Sequence, residues 1–298
     1  MNSKPLSPLS GVFPAVATPL TADGSIDLAA LADHCKDMIH RGCRGIVLFG
    51  SSGEGVSFSV KERLDGLNHL LKEGINPKQI ILAAICTATS EAIELSRHAV
   101  SKGCLAVLLA PPFYYQNVTE AGVIAFYRDV IVSTNTPELR VLLYHIPKLT
   151  GVPITLKIIK ALQQEFPNQV VGMKDSDGDV TFAKMILEQR PDFNLFIAQE
   201  HLIAQLVGLG ACGAISGLAN AYPEHIVAQY KSGLNGTPSA AFPLLPAIQA
   251  AFQKYPVFPT IKSLIALQKG PSWLRMRPPL QSLTEEEQQA LRATLEDK

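Results

Sequence analysis

Short apolar runs alternate along the chain with longer stretches in which apolar residues return every three or four positions. The short runs are GVFPAVAT from Gly11, GIVLF from Gly45, IILAAI from Ile80, LAVLLA from Leu105, RVLLYHI from Arg140, QVVGMK from Gln169, NLFIAQ from Asn194 and CGAIS from Cys212. Near-continuous Val, Ile, Leu and Ala with little polar alternation is the pattern of strands covered on both faces, as in a parallel sheet. The longer stretches have helical period. In DLAALADHCKDMIHRG, Leu28, Leu31, Cys35 and Met38 share one face, with Asp27 placed to cap the start and Gly42 to stop the end. Ser59 before VKERLDGLNHLLKEG and Thr89 before SEAIELSRHAVSKG repeat that arrangement.

Eight such strands, each followed by a helix, predict an α/β fold, a (β/α)8 TIM barrel, which typically takes about 250 residues. Residues 1–220 are read as the barrel core. Residues 221–298 carry the final barrel helix and a C-terminal helical extension, within one domain overall. The last helix, TEEEQQALRATLEDK, opens on a capping pattern at Thr284 and Glu287. A doubly wound open sheet is the alternative, but no GxGxxG follows the first strand.

The chain has 298 residues, 47% of them hydrophobic and 17% charged, and a formal net charge of zero. A nucleic-acid or membrane-surface partner calls for a basic excess, so neither is expected. The start, MNSKPLSPLSGVFPAVATPL, lacks a basic end followed by an apolar signal core, and no apolar run reaches the ~18 residues of a membrane span. Cys35, Cys43, Cys86, Cys104 and Cys212 are odd in number and form no CxxC pair. Reduced thiols in a cytoplasmic protein account for them better than a disulfide frame does. The seven histidines show neither HxxxH nor HxH spacing, so no metal site is expected, and His34 and His40 are read as helix-face residues.

In a (β/α)8 barrel, chemistry belongs at the C-terminal ends of the strands. Strand 6 ends in Lys174, inside GMKDSDGD. The bland reading is a lysine whose stem lies along apolar surface while its ammonium reaches water. The chemical reading is a lysine held as the free amine, which attacks a ketone to form a Schiff base. Such a site needs a proton relay, and Tyr144 at the end of strand 5 is one βα unit away. It also needs donors for a carboxylate. The GSSGE loop after strand 2 offers Gly50, Ser51 and Ser52, although a phosphate group would suit that loop equally well.

Taken together, GSSGE, PPFYY, YxIP with Tyr144, GMK with Lys174 and GAISG, in this order and at these strand ends, resemble the dihydrodipicolinate synthase/N-acetylneuraminate lyase family. The resemblance runs from Gly11 to about Asn220, and RPPL at 277–280 is similar to the family's tail. It implies a class I, pyruvate-type aldolase without cofactor or metal, in which the substrate is bound covalently on Lys174. Tyr144 then matches the proton-relay tyrosine. Ser51 and Ser52 match the pair that holds the pyruvate carboxylate, with Ser51 linking two tyrosines. Tyr114, or its neighbour Tyr115, matches a second relay tyrosine that reaches in from another subunit, which implies a homodimer at least and a homotetramer by family habit. Ile215 falls where a backbone carbonyl of strand 8 faces the site.

The departures bear on the substrate. Synthases of the lysine pathway carry an arginine five residues after the tyrosine, where YHIPKLTG has Leu149. An aliphatic side chain makes no bidentate contact with a carboxylate. Sialic-acid lyases are more similar there, but they carry Asp-Glu at the end of strand 7, where this chain has Glu200-His201, and Asn after the tyrosine, where it has His145. Ser176, Asp177, Glu200 and His201 are read as candidates for hydrogen bonds to a polyol. The expected reaction is cleavage or formation of a hydroxylated 2-oxo acid, such as a 2-keto-3-deoxy sugar acid or a sialic-acid-like substrate, from pyruvate and an aldehyde. The alternatives are a 4-hydroxy-tetrahydrodipicolinate synthase, a dehydratase working through the same enamine, a phosphate-binding barrel enzyme and a non-catalytic pyruvate-binding regulatory barrel.

Overall fold

The computed structural model describes residues 9–296. The start of the chain through residue 8 and the last two residues of the predicted terminal helix lie outside the described residues. The eight apolar runs form β1 (Gly11–Pro14), β2 (Ile46–Leu48), β3 (Ile80–Ala84), β4 (Ala106–Leu109), β5 (Val141–His145), β6 (Val170–Asp175), β7 (Asn194–Ile197) and β8 (Gly213–Ser216). All pair in parallel, in the order β1-β8-β7-β6-β5-β4-β3-β2. The ring closes where Ala15 bridges Val47 and the Val16 N–H donates to the Val47 carbonyl at 3.0 Å.

The helices between strands are α1 (Leu28–His40), α2 (Val60–Lys72), α3 (Thr89–Ser101), α4 (Glu120–Thr134), α5 (Pro147–Thr150), α6 (Leu156–Glu165), α7 (Val180–Gln189) and α8 (Ile203–Gly208). After β8 come α9 (Pro223–Asn235), α10 (Leu245–Lys254), α11 (Val257–Lys269) and α12 (Glu285–Glu296). Asp27 caps α1 by accepting from the Ala30 N–H at 3.0 Å, and Gly42 comes after that helix at φ +97. Ser59 and Glu62 make a reciprocal capping box on α2, and Thr284 and Glu287 make another on α12. The third cap is different: Thr89 is the first helical residue of α3, and Ala88 precedes it with no side-chain bond. A hydroxyl before a periodic run marks a helix start only to within a residue.

Strand alternation produces two apolar layers. Phe13, Ala15, Val47, Ile81, Leu108, Leu142, Phe196 and Ile215 fill the barrel, with Phe13 and Phe196 edge to face at 5.6 Å. Val12, Ile46, Leu48, Leu82, Val107, Leu143 and Leu195 point the other way and pack against the helices, with Leu31, Leu67 and Leu95 among their partners. Strand β6 breaks the alternation. Val141 pairs with Val170, but Leu142 pairs with Gly172, so Val171 is an extra residue in the ladder. Its carbonyl accepts from Asn194 Nδ2 at 2.7 Å. This bulge reverses the parity of the rest of the strand: Val170 and Met173 both face the helices, and Lys174 is turned into the barrel.

On the helical side, His34 of α1 is buried against Trp273 at 4.7 Å between ring centroids. Its Nε2 pairs with Asn220 Oδ1 at 2.9 Å, and its Nδ1 accepts from Lys269 Nζ at 3.0 Å. Burial, and then the positive charge of Lys269, press its pKa from 6.5 to about 4, while Asn220 and Asp37 pull upward and Arg41 adds to the depression. The unfolded chain therefore binds a proton here that the folded chain refuses. Stability from this group is intact above pH 6.5 and falls as pH drops toward 4, by about 3 kcal/mol in all. Asp175 acts in the opposite sense, since burial raises it to about 6 and its protonated form is favoured in the folded state. The difference in urea midpoint between wild type and His34→Gln, monitored from pH 7 to pH 4, isolates the histidine. That difference should shrink steadily with falling pH, and a constant offset would contradict the assignment.

Candidate active site

The loop after β2 is held in a tight path. Phe49 and Glu54 lie at φ 57 and φ 55, a region few non-glycine residues adopt, and they bracket Gly50, Ser51 and Ser52. Glycine is required by close approach at Gly55, where a Cβ would lie 1.8 Å from the Phe49 carbonyl oxygen. Gly50 itself has ordinary room for a Cβ, so its glycine is not forced by space. Ser52 is buried and Ser51 half-buried at the mouth of the barrel.

Strands β5 and β6 place Tyr144 directly beside Lys174 in register. Both are buried, at 1% and 5% exposure, and the Lys174 Nζ donates to Tyr144 Oη at 3.2 Å. Ser51 Oγ is 3.3 Å from the same Oη. Lysine, phenol and serine hydroxyl therefore form one chain drawn from three strand ends. Burial, the largest single influence on the Tyr144 phenol, pushes its pKa up. The charge of Lys174 and hydrogen bonds from Ser51, Lys174 and Ser176 outweigh burial and leave the phenol more acidic than usual. Ser176, which begins the β6–α7 loop, is thus in the cluster as well.

Glu200, at the end of β7, is buried at 8% exposure. The Ser216 hydroxyl donates to its Oε1 at 2.6 Å and accepts from the Ala219 N–H at 3.1 Å. Burial raises the carboxyl's pKa, while Ser216, the Glu200 and Leu218 amides and the Lys174 charge counter that rise. Ser216 belongs to the GAISG motif, but nothing in the motif shows that its hydroxyl orients a carboxylate from another strand. Ile215 is fully buried in the barrel interior next to the Tyr144 layer.

Other residues named from the sequence lie apart. His201 is exposed, and its Nδ1 pairs with Gln249 of α10 at 2.7 Å, so the structure does not bring it to Lys174. Tyr114 and Tyr115 are 75% and 74% exposed and lie edge to face with centroids 5.2 Å apart; within one chain neither reaches Tyr144. Leu149 is 56% exposed on α5, and Lys148 approaches Asp177 at 4.0 Å across the β5 and β6 loops. His145 turns away from the barrel, where its Nδ1 accepts the Ile154 N–H at 3.0 Å and its ring packs on Phe182. Its departure from asparagine is thus a matter of loop scaffolding. Among the described residues no three His, Cys, Asp or Glu side chains gather as a metal site, and no helix is long and apolar enough to cross a membrane.

The geometry can be set against known proteins. Residues 8–298 match the model of the dihydrodipicolinate synthetase family. The chain is 34% identical over 288 residues to an uncharacterized DapA-like lyase of Chloroflexus aurantiacus, covering 96% of each. It superimposes on the dihydrodipicolinate synthase of Agrobacterium tumefaciens with a TM-score of 0.91 at 30% identity, covering 96% of this chain and 98% of that one. A pyruvate complex of YagE, a prophage protein of the dihydrodipicolinic acid synthase family from E. coli K12, aligns with a TM-score of 0.83 at 27% identity over 97% and 98% of the two chains. With a buried lysine against a tyrosine at the mouth of a closed parallel barrel and a match over nearly its whole length, the chain belongs to the dihydrodipicolinate synthetase family of lysine Schiff-base lyases.

Proposed function

We propose that this lyase joins or cleaves pyruvate and a hydroxylated aldehyde, with Lys174 as the Schiff-base nucleophile and Tyr144 as the proton relay. The observation that carries the reading is the unbroken chain from Lys174 Nζ to Tyr144 Oη to Ser51 Oγ at 3.2 and 3.3 Å. Proton transfer from the Lys174 ammonium to the Tyr144 phenolate, the form that its lowered pKa favours, frees the amine, which attacks the substrate ketone. Tyr144 then returns a proton to the carbinolamine oxygen so that water leaves. The Ser51 and Ser52 hydroxyls and the loop amides hold the carboxylate. In the cleavage direction the iminium takes up the electron pair of the breaking C3–C4 bond as the C4 hydroxyl gives its proton to the Tyr144 phenolate. The resulting enamine is protonated at C3, and water releases pyruvate.

Leu149 at the barrel mouth supports a polyol acceptor, because no guanidinium stands there for a second carboxylate. Glu200, buried within the field of Lys174, and Ser176 supply polar groups of the kind sugar hydroxyls need. Tyr114, held out from the barrel, is assigned to the site of a second subunit, which makes the working unit a homodimer at least and by family habit a homotetramer. The five unpaired cysteines support a cytoplasmic location. A synthase reading that uses aspartate semialdehyde rests on the 30% identity to the Agrobacterium enzyme. Borohydride reduction with pyruvate, then peptide mass spectrometry and an aldehyde screen, tests both. A pyruvyl adduct on Lys174 with turnover of hydroxylated aldehydes is the expected result. Turnover restricted to aspartate semialdehyde favours the synthase, and no adduct on folded protein sinks the Schiff-base reading.

A further inference from the structure

We propose that Glu54 and Lys262 form a positioning pair that sets the Ser51–Ser52 loop, so that the C-terminal extension completes the carboxylate-binding subsite. This rests on the reading of that loop as the carboxylate site.

The loop enters and leaves through left-handed residues, a backbone conformation that non-glycine residues keep only where their surroundings impose it. Phe49 is imposed by packing: its ring fills the space over Gly66, where a Cβ would come within 2.6 Å of it, and it meets Phe58 at 5.8 Å. Glu54 is imposed by charge. Its side chain is 0% exposed, and its Oε1 meets the ammonium of Lys262 in α11, itself 1% exposed. Its Oε2 accepts from the Arg277 N–H at 2.9 Å, while Lys262 Nζ also donates to the Arg275 carbonyl at 2.6 Å. A fully buried ion pair contributes little net stability compared with apolar packing, but removing one partner strands a charge. Such a pair therefore specifies geometry more than it adds stability. Burial holds the Lys262 pKa below its ordinary value, and the Glu54 carboxylate opposes that shift without cancelling it.

The same helix also approaches the loop by way of Gly217. A Cβ on Gly217, just after β8, would lie 2.6 Å from Ile261 Cδ1 and 2.8 Å from Ser52 Oγ. Ile261 and Lys262 are consecutive, so one turn of α11 packs on Gly217, the residue beside Ser52, through the first and clamps Glu54 through the second. The tail strap beyond α11 is tied to the same loop and to its entry into α2: Arg277 donates to the Gly24 and Ser57 carbonyls, pairs with Glu62 and lies over the Phe58 ring at 4.4 Å. None of these groups touches Lys174 or Tyr144. Their effect on chemistry runs through where Ser51 and Ser52 are held.

The test is the pyruvate dependence of borohydride trapping. In Lys262→Met, half-saturating pyruvate should rise about 10- to 100-fold, the scale of one lost hydrogen bond to a charged group, while the adduct at saturating pyruvate stays complete. Because Lys262→Met strands the Glu54 carboxylate and folding could fail, the pair Glu54→Gln/Lys262→Met is made alongside. It removes both charges and should keep the pyruvate defect in a folded protein. Lys269→Met, on the same helix but paired with Asp37 and His34, should lose stability without moving the half-saturation point. An unchanged half-saturation point in the folded double variant, or an equal shift in Lys269→Met, would overturn the proposal. If wild type traps no pyruvate, the function reading fails by itself. Amide exchange over residues 50–55 then decides the positioning role: at least tenfold faster exchange in the double variant than in Lys269→Met supports it, and equal exchange overturns it.

Discussion

Lys174→Ala is expected to abolish both turnover and the borohydride-trapped pyruvate adduct, a loss of at least about 10⁴-fold, as for removal of an enzyme's nucleophile. Among the described residues two lysines are buried, and they are not interchangeable. Lys262 is committed to Glu54 and to the Arg275 carbonyl, so it has no free approach to a ketone. Among the described residues Lys174 hydrogen-bonds the phenol of Tyr144 and forms no ion pair with a carboxylate. A buried cation of this kind costs stability, so the alanine variant should melt no lower than wild type, which separates loss of chemistry from loss of fold. It also carries an independent signature. Without the ammonium, burial is no longer offset, and the Tyr144 phenol should titrate at higher pH in an ultraviolet difference titration. An adduct on any other lysine, or measurable turnover by the variant, would remove Lys174 from its role.

Tyr144→Phe should lower kcat by at least ~100-fold, the usual worth of a positioned proton-transfer group. The substitution keeps the ring in the barrel layer and deletes one oxygen, on which Lys174, Ser51 and Ser176 converge. Adduct formation should still occur, but slowly, because the nucleophile is present and dehydration of the carbinolamine lacks its acid. The pH profile distinguishes a relay from a packing role. The phenol lies below its ordinary acidity range in the wild type, and the limb of kcat/KM that it produces should vanish in the phenylalanine variant. A uniform loss at every pH with the limb retained would make Tyr144 a structural aromatic.

Much of this arrangement is legible in the chain. Eight Val/Ile/Leu/Ala runs separated by helical periods leave few alternatives to a closed parallel barrel, because each strand must be covered on both faces. Strand order then makes Tyr144 and Lys174 neighbours, since consecutive βα units lie side by side. Caps at Asp27, Ser59 and Thr284 read correctly because they are local. Thr89 does not, since whether a hydroxyl caps or begins a helix depends on backbone angles that the residue type leaves open.

Long-range contacts elude the sequence. Glu200 and His201 are adjacent in a motif-like pair, yet one is buried against Ser216 and the other pairs with Gln249 outside the site. The union of Glu54 with Lys262 spans most of the chain, and no periodicity or spacing connects them. The sharpest case is Lys174 itself. Counted from Val170 by strict alternation, it would face the helices with Val170, and its ammonium would be an ordinary charge at a strand end. The extra residue at Val171 reverses that parity and turns the lysine onto Tyr144. Composition, strand count and residue order are properties of the chain alone, so the sequence by itself determined the barrel and its chemically capable residues. Parity across a bulge depends on how one strand registers against its neighbours, so only the tertiary structure decided which way the lysine points.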